Sequence, residues 1–286
     1  MKKLVFVPIL LAGITALTLQ CVNKQAANAP KATAAIPMKQ THKEAADTLL
    51  ADAEAPLKPL IFKPLTRVKA MEMLTSKGID SLFFKEYPNN GFYGDDRYRI
   101  EFWMPNCMKN PADPTVYLLS GKTRYKKNIN GFEGQIKVEQ ISEVIDPNID
   151  TAEVNAMDIQ RIYAAQGTFE IREDPTLKSS GVFKGTIKFE FSISEDNHIQ
   201  LWYYSQGLPS GGAGFRMDGT WTSYTQPNVS KPLVLADDLF RIANDILKDF
   251  SYGEREIEIN KQYRSLGWET FWENDEWWQK AEKPKM

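Results

Sequence analysis

The sequence has few cysteine and histidine residues. Among 286 residues there are two cysteines, Cys21 and Cys107, and two histidines, His42 and His198. Zinc sites in proteins are built mostly from cysteine and histidine. A Ser-His-Asp or Cys-His site would have to use His198, and no partner stands at a recognisable spacing from it. We therefore expect no metal, no cofactor and no catalytic residues, and we predict that the chain is not an enzyme.

An excess of charge of one sign is also absent. The formal net charge is −2, whereas a protein that binds nucleic acid presents a strongly basic surface. Nucleic acid is therefore excluded as a partner. Hydrophobic residues make up 42% of the chain, which is enough to build a buried core.

The N-terminus has the pattern of an export signal. Lys2 and Lys3 precede an apolar run from Leu4 to Leu19, and Cys21 follows. A short basic start before an apolar run of this length predicts a secretory signal peptide over residues 1–20. The segment resembles the signal of bacterial lipoproteins, in which the cysteine after the apolar run is lipidated. That resemblance implies lipidation of Cys21 and a membrane partner through the N-terminal lipid.

An ordinary signal peptide is the alternative, cleaved between Ala26 and Ala35, which would remove Cys21. The residues after Cys21 carry neither the aspartate that resembles an inner-membrane retention mark nor an acidic run that resembles a surface-export mark. We therefore expect a bacterial cell-envelope protein, anchored in the outer membrane and facing the periplasm. Residues 21–58 lack aromatic side chains and are rich in Ala, Lys, Gln, Thr and Pro, which predicts a flexible tether.

From Arg97 to Tyr224 the hydrophobic pattern has a period of two. This is typical of strands with one face buried in the core, here called the dry face, and one face exposed to solvent, here called the wet face. The clearest strand is Val182–Ser194. Its predicted dry face carries Phe183, Gly185, Ile187, Phe189, Phe191 and Ile193. Its predicted wet face carries Lys184, Thr186, Lys188, Glu190, Ser192 and Ser194. Further strands are predicted at Tyr98–Met104, Thr115–Ser120, Gly134–Ile141, Ile159–Ala164, Gly167–Arg172, His198–Tyr204 and Gly219–Tyr224. Asn130-Gly131 and Glu195-Asp196-Asn197 are predicted as hairpin turns.

These patterns predict a mainly β fold, with residues 59–230 forming an antiparallel barrel or sandwich. The meander of strands resembles lipocalin-type barrels. A short N-terminal helix is predicted at Thr66–Lys77 and a longer one at Asp237–Phe250. Residues 231–286 are predicted to be a helical, tryptophan-rich extension packed on the sheet. The segment from Gly207 to Gly214 is predicted to be a long hairpin loop, with a mobile flap over a pocket as the alternative.

The densest aromatic cluster lies near the C-terminus and comprises Trp268, Phe271, Trp272, Trp277 and Trp278. We favour the interpretation that this cluster packs as a lid over an open end of the sheet, because aromatic side chains contribute mainly to hydrophobic cores. A stacking platform for sugar rings is the alternative interpretation.

Three hypotheses for the function follow. The first is a non-enzymatic envelope lipoprotein that binds an apolar small molecule, a glycan or an envelope protein, through Trp202, Tyr204, Phe215, Trp221 and Trp272. The second is a glycan hydrolase that uses paired carboxylates such as those of Glu101, Glu170 and Glu190. The third is a structural assembly protein in which all the aromatic side chains are buried. The first is preferred because no catalytic constellation is present.

Overall fold

The computed structural model describes residues 56–149, 152, 158–177, 179–246, 251–252, 257–273 and 275–279. The predicted signal peptide, Cys21 and all but the last three residues of the predicted tether lie outside this part of the chain. Positions 247–250 of the predicted Asp237–Phe250 helix also lie outside it. No helix among the described residues is long and apolar enough to cross a membrane.

The described part of the chain is mainly antiparallel β-structure, as predicted. The strands are β1 Ile61–Pro64, β2 Asn89–Tyr93, β3 Tyr98–Asn110, β4 Asp113–Tyr125, β5 Asn128–Ile145, β6 Ile159–Glu173, β7 Gly181–Ser194, β8 Ile199–Leu201, β9 Phe215–Ser223, β10 Ser230–Ala236, β11 Ser251–Tyr252 and β12 Ile257–Glu258. The helices are α1 Arg67–Ser76, the 3₁₀ helices Ile79–Leu82, Leu239–Ile242 and Trp277–Gln279, and the short α-helices Ala243–Ile246 and Lys261–Tyr263, the last of which is followed by a kinked turn at Arg264–Trp268.

Eight strands pair in a ring. The antiparallel pairings run β2–β3–β4–β5–β6–β7–β9–β10, and β10 pairs in turn with β2. Each of these eight strands therefore has a hydrogen-bonded neighbour on both sides. Strand β1 adds to the end of β5, and the short β8 adds to the end of β7.

One hydrophobic cluster contains side chains from all eight strands of this ring. The predicted dry face of β7 is confirmed, because Phe183, Ile187, Phe189, Phe191 and Ile193 all belong to that cluster. Phe83, which follows the 3₁₀ helix Ile79–Leu82, is fully buried there. Its ring centroid lies 5.1 Å from that of Phe189 and 5.9 Å from that of Phe215. Large aromatic side chains therefore fill the dry side of the sheet.

The predicted N-terminal helix is confirmed as α1. Its N-cap is Thr66, whose side-chain oxygen accepts a hydrogen bond from the backbone N–H of Lys69, and it ends at Ser76. Leu74 is buried against the main cluster, whereas Val68 is exposed.

One predicted turn is wrong and the other is confirmed. Asn130 and Gly131 lie inside β5, and the chain reverses four residues earlier, at Lys126-Lys127, where Lys126 has a φ of 56°. The Asn130 side chain is buried and donates to Glu173 at 3.2 Å, which ties this residue into the sheet. At Glu195-Asp196-Asn197 the turn forms as predicted, with Asn197 at a φ of 67°.

The sheet continues to Ala236, past the predicted boundary at residue 230, because β10 completes the ring. The predicted Asp237–Phe250 helix begins as the 3₁₀ helix Leu239–Ile242 and continues as the α-helix Ala243–Ile246. Leu239, Ile242 and Ala243 are buried. They form a second cluster with Phe92 and Trp268, on the side of β2 opposite to the main cluster.

Candidate functional site

The five predicted contact residues divide into a buried and an exposed group. Trp202, Phe215 and Trp221 are 1%, 0% and 6% exposed, whereas Tyr204 and Trp272 are 60% and 61% exposed. Tyr204 packs against Trp202, and Trp272 packs against Phe271 near the C-terminus, each with ring centroids 5.0 Å apart. The five residues therefore do not form one continuous surface.

The buried members of this group serve the core. The indole N–H of Trp221 donates to Glu173 at 3.0 Å, and that of Trp202 donates to Ser205 at 3.0 Å. Phe215 packs on Phe83. Indole N–H groups are usually paired when they are buried, so these contacts account for the positions of Trp202 and Trp221 without a ligand.

The three glutamates of the hydrolase hypothesis lie on different strands, and each carboxylate has its own set of partners. Glu170 on β6 forms ion pairs with Arg172 and Lys184. The hydrogen bond from Lys184 is the main cause that lowers the pKa of Glu170. Glu101 on β3 is bound by two arginines, and Glu190 on β7 is bound by a loop.

Glu190 lies beneath the segment between β8 and β9. The backbone N–H of Ser210 donates to one carboxylate oxygen at 3.0 Å, and the Ser210 hydroxyl donates to the other. Burial raises the pKa of Glu190 to about 7. The predicted wet face of β7 is therefore wrong at Glu190 and Ser192, which are fully buried. The glycine-rich loop folds back over this side of the strand, and Gly207 and Gly211 adopt the positive φ angles that such a path requires.

The C-terminal segment, by which we mean residues 259–273 and 275–279, lies against the outer side of β2 and β3. The rings of Trp268 and Phe92 are 5.0 Å apart, and the indole N–H of Trp268 donates to the carbonyl oxygen of Arg97 at 2.9 Å. Gly267 has a φ of 87°, and a Cβ atom there would lie 3.1 Å from the ring of Tyr98. The backbone of the segment thus runs directly along the start of β3.

An ion-pair network fastens this segment to the sheet, with the Glu101 carboxylate at its centre. Arg99 pairs with one oxygen of Glu101 at 2.7 Å, and Arg124 pairs with the other. The indole N–H of Trp277 also donates to Glu101, at 3.2 Å. Arg124 further pairs with Asp275 and lies over the Trp277 ring, 5.0 Å from its centroid. Both oxygens of the Glu101 carboxylate are therefore occupied by charge-assisted hydrogen bonds.

Arg99 supplies a second set of contacts to the network. Its Nε donates to Asn90 at 2.7 Å, and its terminal nitrogens donate to the carbonyl oxygens of Phe271 and Gly267 at 3.3 and 3.5 Å. Burial is the main cause that lowers the pKa of Arg99, and the neighbouring Glu101 opposes it. Through Arg99, the sheet therefore forms hydrogen bonds with the backbone of the C-terminal segment as well as contacts with its side chains.

Two cavities lie between the segment and the sheet, and both are lined by Arg99, Glu101 and Glu273. We call them together the C-terminal cleft. The first, the aromatic chamber, has a volume of about 330 Å³. Its other lining residues are Tyr87, Pro88, Asn90, Phe271, Trp272 and Trp278. Tyr87 and Trp272 are exposed, and the Tyr87 ring lies 6.1 Å from that of buried Trp278. Aromatic rings therefore line this chamber together with the buried ion pair of Arg99 and Glu101, which we call its charged floor.

The second cavity, the basic chamber, has a volume of about 550 Å³. Its other lining residues are Tyr98, Arg124, Lys126, Lys127, Asn128, Gly267, Thr270 and Asp275. The Lys126 ammonium lies 4.7 Å from the centroid of the Tyr98 ring. Lys126 and Lys127 are exposed, and within the described part of the chain neither forms an ion pair.

Trp272 is a predicted contact residue and Glu101 a predicted candidate carboxylate, and the structure places both in this cleft. Arg99, Arg124 and Tyr87 are not among the residues predicted from the sequence. One signal was available, because Arg99 and Glu101 are two residues apart on one strand and so share a face. Among the described residues, no group of three or more His, Cys, Asp and Glu side chains could hold a metal ion.

Comparison with known proteins gives no relative. No family model, no curated protein and no solved structure matches this chain.

Proposed function

We propose that this chain is a non-enzymatic, lipid-anchored protein of the bacterial cell envelope, and that its β domain binds a ligand in the C-terminal cleft. One observation carries the choice of site. All seven tryptophans lie in the described part of the chain, and among them Trp272 alone is exposed. An exposed indole on the rim of a cavity is a contact surface, because a large aromatic side chain gains most when it is covered.

The dry side of the sheet is a less suitable site. We propose that the ring of eight strands is a closed barrel, supported by the two neighbours of each strand and by the single cluster that all eight strands share. Aromatic side chains such as those of Phe83, Phe189 and Phe215 fill its interior. We therefore expect a ligand on the outer side of the barrel, in the cleft between the C-terminal segment and the sheet.

The partners of the carboxylates favour binding over hydrolysis. A glycoside hydrolase needs one carboxylic acid that can donate a proton to the leaving group. Glu101, which lines the cleft, has both oxygens occupied by arginine side chains. Glu190 is covered by Ser210 and its loop, and Glu170 is paired with Arg172 and Lys184.

A glycan-binding experiment tests the proposed site. The full chain is screened against immobilised glycans, and each hit is measured by titration calorimetry with the unaltered protein, Trp272→Ala and Tyr204→Ala. Tyr204 is the matched control, because it is an equally exposed aromatic residue that packs elsewhere, on Trp202. We expect binding to be lost in Trp272→Ala and kept in Tyr204→Ala. Equal affinity in all three proteins would remove the cleft as the site.

The proposed anchor is tested separately. Metabolic labelling with a fatty-acid analogue should mark the unaltered chain and leave Cys21→Ser unlabelled, because the thiol is the site of attachment in the lipoprotein pattern. The unaltered protein should also fractionate with the outer membrane. A labelled Cys21→Ser variant would contradict this assignment.

A further inference from the structure

We propose that the ligand of the C-terminal cleft is an acidic saccharide, with a sugar ring in the aromatic chamber and its carboxylate or sulfate group in the basic chamber. This inference rests on the proposed function and adds the chemical class of the ligand. It is drawn from the charges and the apolar surfaces that the two chambers present.

The charge balance of the cleft favours an anion. Its basic side chains are Arg99, Arg124, Lys126 and Lys127, and its acidic side chains are Glu101, Glu273 and Asp275. Glu101 and Asp275 are already paired with the two arginines. The two lysines are exposed and, among the described residues, form no ion pair with Glu273 or with any other carboxylate, so both remain available to an incoming acidic group.

The position of Lys126 fits this role. Its ammonium group lies over the rings of Tyr98 and Tyr125, at 4.7 and 5.2 Å from their centroids. These contacts hold the lysine side chain at the edge of the basic chamber. The aromatic rings do not neutralise the positive charge of the ammonium group, so it can still bind an anion. Lys127 follows at the turn between β4 and β5 and lines the same chamber.

The aromatic chamber selects the rest of the molecule. A sugar ring has an apolar face of C–H groups and a polar edge of hydroxyl groups. The exposed rings of Trp272 and Tyr87 can cover the first, and the polar side chains of Asn90 and Glu273, which line the same chamber, can bind the second. A purely apolar ligand would displace water from the charged side chains of this chamber and offer them no hydrogen bond in return, which is unfavourable. An organic cation would meet the excess of basic groups in the adjoining chamber.

The test compares two ligands that differ only in charge. Oligogalacturonate and its methyl ester have the same sugar rings, but the ester lacks the carboxylates. We measure both by titration calorimetry with the full chain, at two salt concentrations, and do the same for keratan sulfate, whose repeating unit has no uronate, and for its neutral desulfated form. The acidic form of at least one pair should bind at least about tenfold more tightly than its neutral partner, because a hydrogen bond to a charged group is stronger than one to a neutral group. That preference should weaken as the salt concentration rises.

Variants assign the preference to the chambers. Lys126→Ala combined with Lys127→Ala should remove the preference for the acidic form and leave the binding of the neutral form unchanged. Lys63→Ala combined with Lys69→Ala is the matched control, because these lysines are also exposed and lie on β1 and α1. It should behave as the unaltered protein does. Trp272→Ala should weaken both forms.

The outcomes separate this inference from the proposed function. If neutral and acidic forms bind equally, or if the lysine double variant keeps the preference, the acidic class is refuted while the cleft remains the site. If a cationic ligand binds and depends on Trp272, the class is likewise refuted. If no saccharide of either kind binds, both the acidic class and glycan binding at the cleft are refuted.

Discussion

Replacing Glu190 with glutamine should change how the stability of the protein depends on pH. Glu190 is fully buried, and its carboxylate accepts hydrogen bonds from the backbone and the hydroxyl of Ser210. Burial raises its pKa from an ordinary value of 4.5 to about 7. A glutamine side chain has nearly the same shape and can still accept from the Ser210 backbone, but it cannot ionise.

The sign and the size of the effect follow from proton linkage. Between pH 4.5 and 7 the folded protein holds a proton on Glu190 that the unfolded chain has lost, so the free energy of unfolding decreases as the pH rises through this range. One pKa unit corresponds to about 1.4 kcal/mol. A shift from 4.5 to about 7 therefore predicts a decrease of about 3 kcal/mol between pH 4 and pH 8.

Urea unfolding, followed by tryptophan fluorescence at one-unit steps from pH 4 to pH 8, measures this decrease. The quantity to compare is the free energy of unfolding of the unaltered protein minus that of Glu190→Gln, because the contributions of other groups such as Glu173 cancel in the difference. It should fall by about 3 kcal/mol as the pH rises. A difference that stays constant, or that increases with pH, would refute the assignment of a buried, proton-holding carboxylate.

Glu170→Gln provides a control of opposite sign. Glu170 is partly exposed, and its hydrogen bond from Lys184 lowers its pKa. Its contribution to stability is therefore present above the unfolded pKa and is lost as the pH falls. The same subtraction for Glu170→Gln should increase with pH. Slopes of the same sign in both variants would show that the method reports something other than these two carboxylates.

Three further predictions concern single side chains. Phe83→Ala should lower the free energy of unfolding by about 3–5 kcal/mol in urea, because Phe83 is fully buried among other aromatic rings; a loss below about 1 kcal/mol would contradict its place in the core. Trp221→Phe should cost about 1–3 kcal/mol, since it removes one of the donors to the buried Glu173 carboxylate, whereas the same change at exposed Trp272 should cost no more than about 0.5 kcal/mol. In a Cys21→Ser background, Cys107 should react with a disulfide reagent at pH 8 far more slowly in the folded than in the urea-unfolded protein, because burial raises its pKa to about 12; equal rates would show an accessible thiolate.

The sequence predicts the alternating face of β7 well because the cause is local. An antiparallel strand puts every second side chain on the same side, so apolar residues such as Phe183 and Ile187 identify the dry face without information from the rest of the chain. The burial of Glu190 has no such local cause. It depends on a loop whose Ser210 lies 20 residues further along the chain, and nothing in the alternation of β7 indicates that this loop folds back.

The failed turn at Asn130-Gly131 has the same origin. The dipeptide favours a hairpin turn, but Asn130 donates to Glu173, which lies 43 residues away and which also accepts from Thr123 and Trp221. A side chain that helps to satisfy a buried carboxylate outweighs a local preference for a turn. The candidate site shows the same limit, because Trp277 and Glu101 are 176 residues apart in the chain and meet only in the fold.

The ionic floor of the C-terminal cleft is not the most stable way to attach the C-terminal segment. Removing two charges from water costs several kcal/mol per ion, and well-packed apolar side chains of the same volume would stabilise the contact as well or better. Glu101 and Arg99 are nevertheless buried at the point where both chambers meet. Elsewhere the segment does use apolar packing, as between Trp268 and Phe92. The contrast within one interface favours a role in binding for the charged part, since polar groups in fixed positions are what a hydroxyl-bearing ligand requires.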